Sequence, residues 1–398
     1  MNNMAKDNLS EKIDEILSRG VNEVIDQKHL KEKLLSGKKL RIKLGIDPTS
    51  PNLHLGRSVA FLKLRDFQEL GHQIVLIIGD FTGVIGDTSD KESERPMLDD
   101  ETIKANMKTY AEQAGKILDI KKVELHRNSE WLAKLTYKDI AKQADMFSLS
   151  EFIARENIAK RIKAQKRVSL REVLYPLMQG YDSVEIKSDV ELGGTDQRFN
   201  LLAGREIQSH YKQEPQDIMM LNLIEGLDGR KMSSSWGNTV NLTDAPNDIF
   251  GKIMKVGDSL IIKYFIHCTR VPMEKVKEYE KRLKKGDNPR DVKMDLAREI
   301  TSMYWGSKKA DEAQKFFVMA FQKHEIPENI PEIKAKKGVT YFDVLAESGQ
   351  FSSKSEISRL FEQGAVNMLE PEEKNIGRED KVEGGTIKVG KTKFFRIK

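Results

Sequence analysis

His54-Leu55-Gly56-Arg57 stands where the loop DPTSPN runs into a helical pattern. A helix start offers unpaired N–H groups and the positive end of the peptide dipole, which suits a phosphate. A histidine there can donate to a phosphate oxygen, and Gly56 has no Cβ to block a flat ring or a ribose. Far downstream, Lys231-Met232-Ser233-Ser234-Ser235 follows an apolar strand and GLDGR. A lysine among small residues on a loop can close over a triphosphate and follow charge as it moves onto pyrophosphate. Alone, the first string fits an ordinary loop–helix junction and the second a solvated loop. Neither fits G-x-G-x-x-G or G-x-x-x-x-G-K-[ST].

Two further strings read as a polar pocket. In YPLMQGYDS, Tyr175, Gln179 and Asp182 fall at i, i+4 and i+7, on one face of a helix. A phenol, an amide and a carboxylate on one face suit a polar ligand better than a core. In GGTDQ, Gly193 and Gly194 open room beside a turn, and Asp196 and Gln197 supply polar groups.

Elements must position these groups. Residues 1 to 37 read as amphipathic helices, Lys39 to Ile46 as a strand, and Gly56 to Leu70 as a helix stopped by Gly71. IVLIIGDFTGVIGD reads as a buried strand followed by a Gly-rich loop. Strand, loop, helix and strand at this spacing make a βαβ unit and imply a parallel sheet. Residues 100 to 165 read mostly as helices around one short strand, KKVELHRN. VSLREVLYPLMQGYDSVEI runs from helix to strand, and DIMMLNLIEGLDG is a strand ending in a turn. From 245 to 330 the pattern is helical and charged, and the last 60 residues are α then β.

With 398 residues, 38% hydrophobic and 32% charged, the chain has ample length for a core. No window approaches the ~18 to 20 apolar residues of a membrane span. The N-terminus has neither an apolar core nor an Arg/Ser-rich bias, so no signal or transit peptide is expected. Cys268 is the single cysteine, which excludes a disulfide framework and a cysteine metal site, and a cytoplasmic location is expected. A net charge of +5 is compatible with a nucleic-acid partner.

Together, HLGR and KMSSS resemble the HIGH and KMSKS signatures of class I aminoacyl-tRNA synthetases. LGIDPTSPNLHLGR, IIGDFTGVIGDTS, YPLMQGYDS, GGTDQRFN and GLDGRKMSSS, in this order, resemble the bacterial tyrosyl-tRNA synthetases over nearly the whole chain. The resemblance implies an α/β fold with a Rossmann-like parallel-sheet catalytic domain over 1–240. That domain would include a helical dimerisation insertion at about 120–165. A helical anticodon-side domain at 241–328, a linker at 329–338 and a small α+β RNA-binding domain at 339–398, similar to a small-subunit ribosomal protein, would follow.

It also implies roles. Asp182 would read the phenol OH; Tyr175, Gln179 and Asp87 would hold the α-ammonium group, with Asp47 and Gln197 beside them. Thr49, His54 and Lys231 would act on the phosphates at the transition state. Gly45, Gly56, Arg57, Asp196, Ser234 and Ser235 would line the ATP site, and Lys91 and Arg95 would contact pyrophosphate. Lys354, Arg359, Lys391, Lys393 and Arg396 would bind tRNA phosphates.

The implied activity is tyrosine–tRNA ligation in two steps, through tyrosyl-adenylate and then transfer to tRNA(Tyr). ATP is a substrate, Mg²⁺ enters with it, and no protein-bound metal is expected. A homodimer and no membrane partner are implied. Three positions depart from the family pattern. Arg57 replaces the second histidine of HIGH and Ser234 the second lysine of KMSKS. Lys43 stands where one branch has a tyrosine, so it cannot read the phenol in that way. Rival readings are a tryptophanyl enzyme, a nucleotidyltransferase with an HxGH-type motif, and a non-enzymatic RNA binder on the same scaffold.

Overall fold

The structure, a computed structural model, describes residues 3–87, 97–320, 330–336, 338–351, 353–390 and 393–398. One sheet holds β1 (Val21–Ile25), β2 (Arg41–Ile46), β3 (Gln73–Ile78), β4 (Glu124–Arg127), β5 (Val190–Gly194) and β6 (Asp217–Leu221). Their order is β1-β6-β5-β2-β3-β4. All neighbours are parallel except β1, which runs antiparallel to β6 at the edge. β3 and β6 are apolar and almost wholly buried, as strands covered on both faces must be.

The chain winds from β2 to β3 and β4 on one side, then returns to place β5 and β6 on the other. Such a reversal opens a crevice beyond the carboxyl ends of the strands. The helix Leu55–Glu69 joins β2 to β3 and buries Leu55, Val59, Leu62 and Phe67. On the other side the helices Leu170–Glu185 and Arg198–His210 flank β5. Ser169 and Glu172 close a capping box at the start of the former.

Three local expectations change. Val21–Ile25, inside the stretch read as helical, is the strand β1: VNEVI is short and β-branched, and the exposed edge of β6 gives its backbone partners. The Gly-rich segment after β3 is not a loop but a short helix, Asp80–Ile85. The 171–189 segment stays helical to Glu185, and its strand begins only at Val190, after Lys187 turns the chain at positive φ.

The helices Pro246–Ile253, Ile261–Cys268, Met273–Lys284, Pro289–Trp305 and Ser307–Val318 follow. Phe250, Tyr264 and Leu296 belong to the same core as Ile13, Phe61 and Leu76 of the sheet region. Arg19 ties the two parts with bonds to the carbonyls of Phe265, Ile266 and Thr269, and Arg270 pairs with Asp66 at 2.7 Å.

A second sheet has β7 (Glu332–Ile333), β8 (Val366–Glu370), β9 (Lys374–Asn375), β10 (Gly385–Val389) and β11 (Lys393–Ile397) in the order β7-β11-β10-β8-β9. With the helices Tyr341–Glu347 and Lys354–Glu362 it encloses its own core of Tyr341, Leu345, Ile357, Val366, Ile387 and Phe395. β7 lies within the stretch read as a linker, so that stretch contributes an edge strand here. Among the described residues no helix is long and apolar enough to cross a membrane.

Candidate active site

At the carboxyl ends of β2, β3, β5 and β6 lies a cavity of about 730 Å³. It is lined by Gly45, Asp47, Thr49, His54, Gly56, Arg57, Asp87, Tyr175, Gln179, Asp182, Asp196, Gln197, Lys231, Ser234 and Ser235. Strings far apart in the sequence therefore meet in one crevice. Lys91 and Arg95 lie outside the described residues.

The two strings read as phosphate-handling are physically joined. Leu55 N–H donates to Val240 O at 2.9 Å and Leu242 N–H to Leu53 O at 2.9 Å, so the His54 loop pairs with the chain that follows KMSSS. Met232 is buried, receives the Gly56 N–H at its sulfur (3.2 Å), and anchors Lys231 and Ser233 to either side. His54 caps the helix Leu55–Glu69 without a side-chain capping bond. Burial, then the charges of Arg57 and Lys231, push its pKa down to about 3. His54 is thus a neutral imidazole, offering one N–H donor while its neighbours supply the positive charge.

Lys231 Nζ lies 2.8 Å from Asp196 Oδ2. Ser234 Oγ is 3.2 Å from Ser50 Oγ. Arg57, the departure from HIGH, braces the first loop: Nη1 donates to Asp47 O (3.1 Å) and Tyr110 OH (3.3 Å), and Nη2 to Thr49 Oγ1 (3.0 Å).

Deeper in the cavity the polar groups gather around Asp182, Asp47 and Gln197, and Asn128 Nδ2 joins the first two by donating to Thr82 Oγ1 at 2.9 Å. Asp182 is buried, with Trp131 Nε1 donating to Oδ1 at 2.8 Å and Asn128 Nδ2 to Oδ2 at 3.3 Å. Burial pushes its carboxyl up to about 7, against the pull of the Lys43 charge and these two donors. Asp47 accepts from Thr82 Oγ1 (2.7 Å) and Tyr175 OH (2.8 Å), and burial pushes it up to about 6. Gly79 makes this possible, since a Cβ there would sit 2.1 Å from Asp47 Oδ1. Gln197 Nε2 donates to Asp87 Oδ2 at 2.6 Å, and Asn200 Nδ2 bridges Gln197 Oε1 and Gln179 Oε1 at 3.0 Å each.

Sequence reasoning missed Thr82, Asn128, Trp131 and Asn200. The signal was available for two of them, because Asn128 and Trp131 follow β4 directly and carboxyl ends of parallel strands face the crevice. Lys43, set aside as unable to read the phenol, is fully buried behind the pocket in an ion pair with Glu191.

Outside the crevice, Lys354 and Arg359 are exposed on one helix of the second unit. Lys393 donates to Gln350 O just before that helix and lies over the Phe351 ring. Arg396 sits across from Glu332 in the β7–β11 register. Lys391 lies outside the described residues. Among those described, no group of three or more His, Cys, Asp or Glu side chains could hold a metal ion.

Residues 35–322 match the family model of the class I tRNA synthetases (W and Y). The chain is 48% identical to the tyrosine–tRNA ligase of Thermotoga maritima over 96% of each chain. It is 46% identical to that of Carboxydothermus hydrogenoformans over 96% of this chain and 97% of the relative. A C-terminally truncated mitochondrial tyrosyl-tRNA synthetase from Coccidioides posadasii superposes with a TM-score of 0.64 at 23% identity, over 78% of this chain and 95% of that one. The Archaeoglobus fulgidus tyrosyl-tRNA synthetase complexed with L-tyrosine gives 0.61 at 23%, over 77% and 99%. These two likenesses speak to the fold.

Proposed function

The chain belongs to the tyrosine–tRNA ligases of the class I (W and Y) tRNA synthetases, and on that premise we propose how its residues divide the work. It joins tyrosine to tRNA at the expense of ATP, which becomes AMP and pyrophosphate. In the first step the tyrosine carboxylate attacks the α-phosphorus of ATP and expels pyrophosphate. The carboxylate is already ionised at pH 7, so no general base is required. The rate comes from positioning and from stabilising charge at phosphorus. In the second step the terminal ribose hydroxyl of tRNA(Tyr) attacks the acyl carbon and AMP leaves.

The observation that carries the assignment of the pocket is Asp182, a buried carboxylate lining the cavity with both oxygens engaged by fixed donors. A phenol OH gives it one more donor; a phenyl ring takes the same place and withholds that bond. Tyr175, Gln179, Asp87, Gln197 and Asp47 ring the part of the pocket that receives the α-ammonium group. Neutral His54 and Thr49 serve the phosphates at the transition state. Lys231 exchanges its contact with Asp196 for the pyrophosphate, leaving Asp196 and Gly45 to the ribose. Gly56, Arg57, Ser234 and Ser235 complete the ATP site, and Lys91 and Arg95 reach the pyrophosphate. Mg²⁺ arrives with the ATP, carried by its phosphates.

Lys354, Arg359, Lys391, Lys393 and Arg396 hold tRNA phosphates, with residues from 339 on as the RNA-binding part and 241–328 as the anticodon side. The protein works in the cytoplasm as a two-fold dimer through residues 120–165. Exposed Tyr137, Leu149, Ile153 and Ile162 on that segment support the dimer, which sedimentation at micromolar concentration checks. The activity itself is tested by charging tRNA(Tyr) transcript with labelled tyrosine. ATP-dependent tyrosyl ester is expected, and its absence with folded protein overturns the reading.

A further inference from the structure

Lys43 and Glu191 are directly paired residues of the adjacent parallel strands β2 and β5. Their neighbours Ile42, Leu44, Val190 and Leu192 are buried and apolar. The side chains are 0% and 1% exposed and meet at 2.9 Å. A buried ion pair gains little stability over a well-packed neutral pair, because both charges lose their water. Stability alone therefore gives no reason for a lysine and a glutamate at this register.

The surroundings give one. An ammonium has three protons, and Lys43 Nζ places them on Glu191 Oε1, on Gln179 O at 2.9 Å and on Ser183 Oγ at 2.7 Å. Glu191 in turn accepts from Gln179 Nε2 (3.1 Å), from Ser183 Oγ (3.1 Å) and from Gln216 Nε2. Apart from the ion pair itself and the Gln216 bond, each of these contacts runs to the turn of helix that carries Gln179 and Asp182. Asn200 holds the other end of the Gln179 amide, so its oxygen and nitrogen have assigned directions. Lys43 is also the cation that favours the ionised form of Asp182.

We propose that the Lys43–Glu191 pair is the positioning device of the tyrosine pocket. It orients the Gln179 amide toward the α-ammonium group and supplies the positive charge that lets buried Asp182 read the phenol. The tyrosine that one branch of the family places at the position of Lys43 is thereby replaced by an indirect solution, in which the lysine acts through Gln179 and Asp182 and touches no substrate. Support of this kind keeps a binding group within the fraction of an ångström that recognition needs.

The inference rests on the assignment of the tyrosine pocket, and the test separates the two. Tyrosine-dependent ATP–pyrophosphate exchange by the unaltered protein tests the assignment. The pair is tested by Lys43→Met with Glu191→Gln, which removes both charges of the pair together. In the double variant the KM for tyrosine should rise about tenfold or more, while the KM for ATP and kcat at saturating tyrosine stay within about threefold. Preference for tyrosine over phenylalanine should fall about tenfold or more, since Asp182 has lost its cation. A folded double variant with unchanged tyrosine KM and unchanged preference overturns the proposal. Should that variant not fold, Ser183→Ala removes the hydroxyl shared by the pair. A several-fold higher tyrosine KM with unaltered ATP KM is then expected, and an unaltered tyrosine KM overturns it.

Discussion

Asp182 and Asp47 line the cavity with carboxyls raised by burial to about 7 and about 6, from an ordinary value of 3.8. A raised carboxyl contributes stability that is whole below 3.8 and is lost as pH rises through its folded-state value. Asp182→Asn removes that dependence at one site. Relative to the variant, the unaltered protein should lose about 3 kcal/mol between pH 5 and 8, at about 1.4 kcal/mol per pH unit up to 7. The difference in melting temperature should therefore shift in the variant's favour by several degrees over that range. Parallel melting curves would show that the carboxyl is not held in this way. In the proposed division of labour, His54→Ala and Lys231→Ala act elsewhere, on the phosphates. Each should slow single-turnover adenylate formation about a hundredfold, with the tyrosine KM within about threefold. Equal weakening of tyrosine binding by equilibrium dialysis would contradict that division. At this scale the sequence was most legible where one helix repeats, as at Tyr175, Gln179 and Asp182. It was least legible where partners come from other strands: nothing local links Asn128 or Trp131 to Asp182, or Lys43 to Glu191. Strand order makes those contacts, and strand order has no local signal.

The helix Leu170–Glu185 is the element on which the pocket depends, and its position is set by close packing on Arg198–His210. At Gly180 an added Cβ would lie 2.5 Å from Ile207 Cδ1 and 3.1 Å from the Cα of Gly204. The isoleucine tip can move, but the backbone of the facing helix cannot. Gly180→Ala should therefore cost about 1–3 kcal/mol through overpacking. Because the displaced helix carries Tyr175, Gln179 and Asp182, kcat/KM for tyrosine should also fall by about tenfold. A variant with full activity and an unchanged melting temperature would mean that the two helices have slack. The sequence foretold the β2–helix–β3 unit within a residue or two, because apolar runs, helical periodicity and the stop at Gly71 agree there. It misassigned Val21–Ile25, whose five residues become a strand only because β6 offers an edge. That is tertiary context overriding a short local pattern.

Among the described residues, the two largest buried clusters divide the molecule. Helices from Pro246 to Val318 share theirs with the large sheet, whereas residues from Ile330 on pack mainly on their own sheet. Phe394 also meets Ala320 and Ile330, so the second unit is seated and not merely tethered. Because Glu332–Ile333 pairs with β11, a cut that removes this unit cleanly falls at Asn329 and not after the stretch read as a linker. Truncation there should leave ATP–pyrophosphate exchange within about threefold. Charging of tRNA should drop about tenfold or more, with a shallower salt dependence, as phosphate contacts are lost. Loss of both activities together would make the unit part of the catalytic fold's stability, and loss of neither would remove its RNA-binding role. The central claim, that this crevice activates tyrosine and selects it through Asp182, is tested most directly by ATP–pyrophosphate exchange with tyrosine and with phenylalanine. The unaltered protein and Asp182→Ala are measured side by side. The prediction is a preference for tyrosine of at least about a thousandfold that collapses in the variant. Exchange that favours another amino acid, or a variant that still prefers tyrosine by about a thousandfold, contradicts it.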